Sequence, residues 1–296
     1  MSDSLLTDDF KTTPYWWEKT PPPELSLLGK PNIELPQKAD VVIIGAGYTG
    51  LSAALQTARA GRHTVVVDAE NAGAGCSTRN GGQISTSIKP THKALAAKYG
   101  PERAFNILKE GHTALAWLED FVSTESIDCH FKVVGKFLGA HNPAQYEKLG
   151  KKLNDSIKGL ETKAFLVPRS EQHQELGTDR YFGGIVYPNV ASVDPARLHR
   201  GLLDRVIAAD ATVIPFNPAL DITKEGDGFR VTTNQGSIWA KEVIVASNGY
   251  TGSATPWLRR RIIPIGSYII GTEPLTTGQM DRLIPKDRMV GDTRKM

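Results

Sequence analysis

The chain has 296 residues, enough for about two domains on the usual size prior, and 35 basic against 32 acidic residues leave a net charge of +3. No basic run stands out, so a nucleic-acid partner is not expected. Two cysteines, Cys76 and Cys129, are too few for a disulfide framework; a single bridge between them stays open, and a reducing cytoplasm is the expected location.

The amino terminus lacks the charged and apolar segments of a signal peptide, and no apolar run approaches the ~20 residues that a membrane-spanning helix needs. Residues 1–38 hold Pro14, Pro21, Pro22, Pro23, Pro31 and Pro36. These exclude a long helix and predict an extended arm, anchored on the body by Trp16 and Trp17. The pattern then changes. Val41-Val42-Ile43-Ile44 is a fully apolar strand, Leu51 to Ala60 a helix of small residues that stops at Gly61, and Thr64 to Val67 a second apolar strand ending in Asp68.

Gly73 to Ser87 reads as a loop by composition. Helices are expected near Ala94–Glu110 and Thr113–Glu125, a strand near Phe131–Leu138, and a charged helix near Pro143–Lys158. A short strand follows at Gly184 to Tyr187. Asp194 and Pro195 carry N-cap and first-turn chemistry for a helix running to about Ala209. Then come Thr212–Phe216, alternating strands near Ala219–Thr223 and Phe229–Thr233, a turn at Asn234–Gly236, and the strand Lys241–Ser247, which together suggest a β-meander. Ile262 to Thr272 reads as a last apolar strand.

The chemistry is concentrated in Gly45-x-Gly47-x-x-Gly50, which directly follows a buried strand and opens a helix. The first glycine allows the tight turn, the second lets backbone approach a pyrophosphate, and the third lets helix and strand pack closely. Free N–H groups and the positive end of the helix dipole then hold a diphosphate. Asp68, at the end of the second strand, is placed to accept hydrogen bonds from ribose hydroxyls, and an acid there disfavours a 2′-phosphate. The bland alternative is a βαβ crossover whose glycines serve packing alone.

The motif alone does not separate flavin from nicotinamide, because both cofactors share the ADP half. The fingerprint occurs once, near the chain start, and Val243–Ala246 leading into Ser247-Asn248-Gly249 looks like a glycine-marked return to the dinucleotide. Both features favour FAD. His63, His112 and His199 have no partner at metal or triad spacing and are read as structural, so no metal site is expected. Arg259-Arg260-Arg261 is read as a solvated face, with a hold on a substrate carboxylate by one of them as the alternative.

The run Val41 to Asp68, followed by Gly73-Ala74-Gly75-Cys76-Ser77-Thr78-Arg79-Asn80-Gly81-Gly82-Gln83, resembles the D-amino-acid oxidase-like superfamily of FAD-dependent oxidases and dehydrogenases. Within it the chain is most similar to the gamma-glutamylputrescine oxidoreductase branch. Tyr15-Trp16-Trp17-Glu18, Ser192-Val193-Asp194-Pro195, Val243 to Tyr250 and Pro264 to Ile270 add to the likeness, and Arg79-Asn80-Gly81-Gly82 is its most specific element.

The resemblance implies a diphosphate at Gly45, Ala46, Gly47, Tyr48, Thr49 and Gly50, and a ribose at Asp68. It implies flavin-side contacts at Ser77, Arg79, Asn80, Gly81, Gly82 and Gln83, with adenine meeting the backbone of Ala219 and a second dinucleotide strand at Ser247, Asn248 and Gly249. Cys76 lies in the same loop, where a thioether to flavin is conceivable but a small packed residue is the simpler reading. No catalytic residue is assigned.

The chemistry implied is hydride transfer from the carbon beside an amine nitrogen to flavin N5, giving an imine that water hydrolyses. The substrate would be a small amine or amino acid and the electron acceptor oxygen or a quinone-linked carrier. A non-catalytic dinucleotide-binding remnant and an NAD-dependent dehydrogenase are the alternatives; the Arg79–Gly82 loop speaks against the latter.

The expected fold is α/β. A Rossmann-like FAD lobe with β-meander would come from 39–90 and 191–252, and an incomplete mixed-sheet α+β substrate lobe from 91–190 and 253–296. Relative to the family the chain is expected to be truncated at its C-terminal end.

Overall fold

A computed structural model describes residues 9–24, 34–154 and 157–294. Pro31 of the arm, and Asp155 and Ser156 in the expected charged helix, lie outside the described residues. The chain forms two compact units: Met1–Gly81, Ile127–Cys129 and Asp194–Ile270 in the first, and Gly82–Ser126, His130–Val193 and Gly271–Met296 in the second.

The first unit opens with a 3-10 turn, Tyr15–Glu18, then β1 (Lys38–Ile44), α1 (Tyr48–Arg59) and β2 (Thr64–Val67). The chain enters the second unit with β3 (Gln83–Ser85), α2 (His92–Tyr99), α3 (Pro101–Thr124), β4 (Lys132–Val133), β5 (Lys136–Gly139), α4 (Pro143–Asn154), β6 (Phe165–Val167), β7 (Gly184–Tyr187) and β8 (Val190–Ser192). It returns with α5 (Pro195–Ala208), β9 (Thr212–Ile214), β10 (Ala219–Glu225), β11 (Gly228–Thr233), β12 (Gly236–Val245) and α6 (Pro256–Arg259). The second unit ends with α7 (Thr277–Leu283) and β13 (Met289–Asp292).

One six-stranded sheet, ordered β10-β11-β12-β1-β2-β9, organises the first unit. Its β12, β1, β2 and β9 run parallel, with Val42 opposite Val243 on one side and Val65 on the other. Parallel strands covered on both faces become continuously apolar, and Val41, Val42, Ile43 and Val65 to Val67 are all fully buried. The buried stripe of α1 is Gly50, Leu51, Ala54 and Leu55, at helical spacing. Leu51 has no exposed surface, and burying a leucine side chain is worth about 2–3 kcal/mol.

The expected meander is present, and it is continuous with the parallel sheet. Its third strand and the sheet's central parallel strand are one element, β12. Trp239 and Ala240 pair with Arg230 and Phe229 on one edge and with Lys38 and Ala39 on the other.

α5 begins as its residues demand: the Asp194 carboxylate accepts the N–H groups of Ala196 and Arg197, and Pro195 takes the first helical position, where its missing N–H costs nothing. Leu198, Leu202, Leu203 and Val206 form its buried face.

The second unit holds a mixed sheet, β13-β5-β7-β6, and a small antiparallel sheet, β3-β8-β4. Within it the helical boundaries differ from those expected. The break falls at Gly100, with φ +83, followed by Pro101 at the start of α3, whereas Gly111 lies inside the helix. Gly111 is there for space: a Cβ would stand 2.2 Å from the Thr86 carbonyl oxygen. The strand expected near Phe131–Leu138 is divided into β4 and β5 around Gly135, with φ +74.

The stretch expected to be wholly loop contains the 3-10 turn Cys76–Thr78 and β3. Ile262 to Thr272, expected as a strand, has no regular structure. It pairs with no strand among the described residues, and Ile263, Ile265, Tyr268 and Ile270 are 84–94% exposed. Both cysteines are free, Cys76 exposed and Cys129 buried, which closes the question of a bridge. No helix among the described residues is long and apolar enough to cross a membrane.

Candidate dinucleotide-binding site

The loop between β1 and α1 is shaped by the space its glycines leave. Gly45 sits at φ +107, where a Cβ would meet the Ala246 carbonyl oxygen at 2.7 Å, so the loop passes directly over the end of β12. At Gly50 a Cβ would stand 1.8 Å from the Gly45 carbonyl oxygen, which is the close helix-to-strand packing that the third glycine permits. At Gly47 it would meet the Ser77 hydroxyl at 2.9 Å.

α1 starts at Tyr48 behind Gly47, which has no side chain to cap it, and its first turn carries no acidic residue. Helix geometry leaves the first amides without intrahelical partners. Ser77 serves that of Tyr48, its hydroxyl accepting the N–H at 3.0 Å.

Asp68 braces the same loop from β2. One carboxylate oxygen accepts the Ala46 N–H at 2.6 Å and the other the Glu70 N–H at 2.9 Å. Burial pushes its carboxyl above the ordinary range, and those backbone N–H groups pull it partly back. A carboxylate has about four lone-pair sites, so two bonds leave capacity for ribose hydroxyls.

Asn217 follows at the head of β10. Its N–H donates to the Asp68 carbonyl at 2.7 Å, while both polar atoms of its fully buried amide lack a partner among the described residues. A buried amide without a partner costs about 1–3 kcal/mol. Ala219, the expected adenine neighbour, opens β10 opposite Thr233.

The loop after β2 carries the expected flavin-side residues and is held by the arm. The Trp17 indole N–H donates to the Thr78 hydroxyl at 2.8 Å, and that of Trp16 to the Asn80 carbonyl at 2.9 Å. The Asn80 side-chain amide donates to the carbonyls of Cys76 and Ser77. Cys76 Sγ lies 3.2 Å from the Tyr250 hydroxyl, whose pKa that contact raises. Ser247 hydrogen-bonds Thr251 at 2.8 Å, Asn248 adopts φ +50, and Gly249 lies near Pro264.

The first unit therefore brings Gly45–Gly50, Asp68, Ser77 and Ser247 around one helix start. Gly81 ends its first segment. Gly82 and Gln83 belong to the second unit, where Gly82 accepts the Val193 N–H and Gln83 pairs with Ser192 in β3.

One residue read as structural in the sequence touches this site. His199 of α5 is 2% exposed, and its Nε2 lies 2.8 Å from the Ala46 carbonyl oxygen. Burial lowers its pKa. The signal was present: with Ala196, Leu203 and Val206 it occupies the apolar stripe of α5.

These residues fit the ADP half of FAD. The helix start offers amides and no acidic side chain, Asp68 has lone pairs to spare, and an orphaned amide lies beside it. No group of three or more metal-ligating side chains occurs among the described residues.

The comparisons with known proteins agree. The family described as "DAO: FAD dependent oxidoreductase" matches residues 40–295. The probable oxidoreductase OrdL of Rhizobium meliloti (strain 1021) is 30% identical over 95% of this chain and 64% of its own length. The gamma-glutamylputrescine oxidoreductase of Escherichia coli (strain K12) is 30% identical over 86% of this chain and 59% of its own. The chain thus spans about three fifths of these relatives. In fold, glycine oxidase from Geobacillus kaustophilus superimposes with a TM-score of 0.66 at 16% identity, over 76% of this chain and 59% of that one.

Proposed function

The chain belongs to the DAO family of FAD dependent oxidoreductases, and we propose that it holds FAD with the diphosphate at Gly45–Gly50 and takes part in oxidising the C–N bond of a small amine or amino acid. The observation that carries the first half is the start of α1: a glycine-shaped loop with no acidic side chain in the first turn, braced by Asp68 and Ser77. The second half draws on the relatives, whose names specify gamma-glutamylputrescine and glycine as substrates.

FAD, when bound, supplies a two-electron acceptor for hydride from carbon. The protein's part is binding and orientation. Backbone amides at the helix start would hydrogen-bond the diphosphate, Asp68 would accept from the adenosine ribose, and the Cys76–Asn80 turn, fastened by Trp16 and Trp17, would present Arg79 and Asn80 to the flavin. An amine gives up hydride only when neutral, so the substrate pocket must disfavour the ammonium form; the described residues assign no group to that task. Electrons would pass on to oxygen or a quinone-linked carrier.

The test is anaerobic addition of a panel of amines, including glycine, sarcosine and putrescine derivatives, to the FAD-loaded chain. Bleaching of the visible flavin bands by one of them is expected. Bound FAD that no amine bleaches would sink the claim of amine oxidation for this chain while leaving the cofactor site standing.

A further inference from the structure

We propose that His199 is a positioning residue for the cofactor's diphosphate: its Nε2–H holds the Ala46 carbonyl and thereby turns the Gly47 N–H toward the phosphate-binding side of the loop. The proposal rests on the placement of the diphosphate at Gly45–Gly50.

The Ala46–Gly47 bond is trans, as no cis peptide bond occurs among the described residues, so its carbonyl and its N–H point to opposite edges of one plane. A carbonyl oxygen can only accept, which places the imidazole proton on Nε2 at 2.8 Å. Fixing the oxygen on the α5 side aims the Gly47 N–H away from α5.

The preceding peptide is fixed as well, because Asp68 accepts the Ala46 N–H. Side chains from two different elements therefore clamp both peptide units of Ala46, and a loop clamped in this way loses less entropy when an anion arrives.

The imidazole itself is wedged. At Gly73, φ +81, a Cβ would stand 2.5 Å from its Cε1 and 2.7 Å from its Nδ1. The Tyr48 ring lies 6.0 Å from it, centroid to centroid, and the Tyr48 hydroxyl donates to the Pro195 carbonyl at 2.7 Å. Residues 46 and 48 are thus each tied to α5, on either side of the glycine whose amide is to be aimed.

The test compares variants of the full chain by titration with FAD, ADP and adenosine. His199→Phe keeps a ring and removes the donor; His199→Gln supplies an amide N–H near the position of Nε2. His199→Phe should raise the dissociation constants of FAD and ADP about tenfold and change that of adenosine less than about twofold, while His199→Gln stays within about threefold of wild type throughout.

Should His199→Phe fail to fold, His199→Met against His199→Gln repeats the comparison at matched length. Wild-type affinity for FAD and ADP in the donor-free variant would overturn the proposal, as would equal weakening of ADP and adenosine, the mark of general loosening. A wild-type chain that binds neither FAD nor ADP would remove the diphosphate placement itself, a result separable from the other two.

Discussion

The guanidinium of Arg79 lies over the indole of Trp17, 4.6 Å from the ring centroid, and the same indole donates to the neighbouring Thr78 hydroxyl. One side chain of the proline-rich arm thus holds two consecutive residues of the Cys76–Asn80 turn. Trp17→Ala removes both contacts. A stacked cation and a hydrogen bond are each worth about 1 kcal/mol, so FAD should bind roughly tenfold more weakly, as read by flavin fluorescence. Unchanged affinity would reduce the arm to packing.

Gly50→Ala probes the closest approach in the first unit. The added Cβ would overlap the Gly45 carbonyl oxygen, a backbone atom with nowhere to go. Overpacking of this kind typically costs about 1–3 kcal/mol, and the upper end is expected here. Urea unfolding measures it. A variant as stable as wild type would mean that helix and strand are less tightly packed than described.

The second unit contains an ion cluster whose loss should be costly. Glu175 is 1% exposed and accepts from Lys286 Nζ at 2.7 Å and Arg288 Nε at 2.8 Å. Glu175→Gln leaves two cations facing a neutral amide. Because the Lys286 side chain is 43% exposed, the loss should be about 2 kcal/mol, below that of a sealed pair. Equilibrium unfolding that shifts by less than a few tenths of that would show the cluster to be ornamental.

Acid should destabilise the ligand-free chain partly through His199. Its folded pKa lies below 6.5 because of burial, so between the two values the unfolded chain holds more protons. Stability is then present above pH 6.5 and falls as pH drops through that window, by up to roughly 1 kcal/mol at pH 5.5. Asp68 works with the opposite sign: its folded pKa is raised, so its contribution is largest below 3.8 and is lost as pH rises through the folded value. Unfolding at pH 7.5 and 5.5 should show a smaller pH effect in His199→Gln than in wild type. Identical slopes would place the titration elsewhere.

Much of the first unit was legible because its signals are local. The apolar run of β1, the glycine spacing and Asp68 lie within one stretch of chain and dictate a βαβ unit by periodicity alone. What was not legible depends on distant partners. Nothing near His199 in sequence announces Ala46 as its acceptor, and β12 divides into meander and parallel strand on paper because pairing with both β11 and β1 is a tertiary fact.

Gly100 and Gly111 show the same limit. Pro101 after Gly100 is a local mark of the break, whereas Gly111 carries no such mark, and only the distant Thr86 carbonyl explains why a glycine stands inside the helix there. Ile262 to Thr272 has strand composition, yet composition does not provide the neighbouring strand that a β ladder requires.

Calorimetric titration of the full chain with FAD and NAD, in wild type and Gly47→Ala, is the sharpest test of placing the FAD diphosphate at the Gly45–Gly50 loop. A Cβ at Gly47 would stand 2.9 Å from the Ser77 hydroxyl, which must turn away and give up the Tyr48 N–H. Alanine is also a poorer N-cap than glycine, so about 1 kcal/mol of stability should be lost while the fold survives and the close approach of phosphate is blocked. That placement predicts saturable FAD binding by wild type, weaker binding of NAD, which shares only the ADP half, and at least about tenfold weaker FAD binding by a Gly47→Ala that unfolding shows to be folded. FAD binding with the same affinity to both proteins would contradict it.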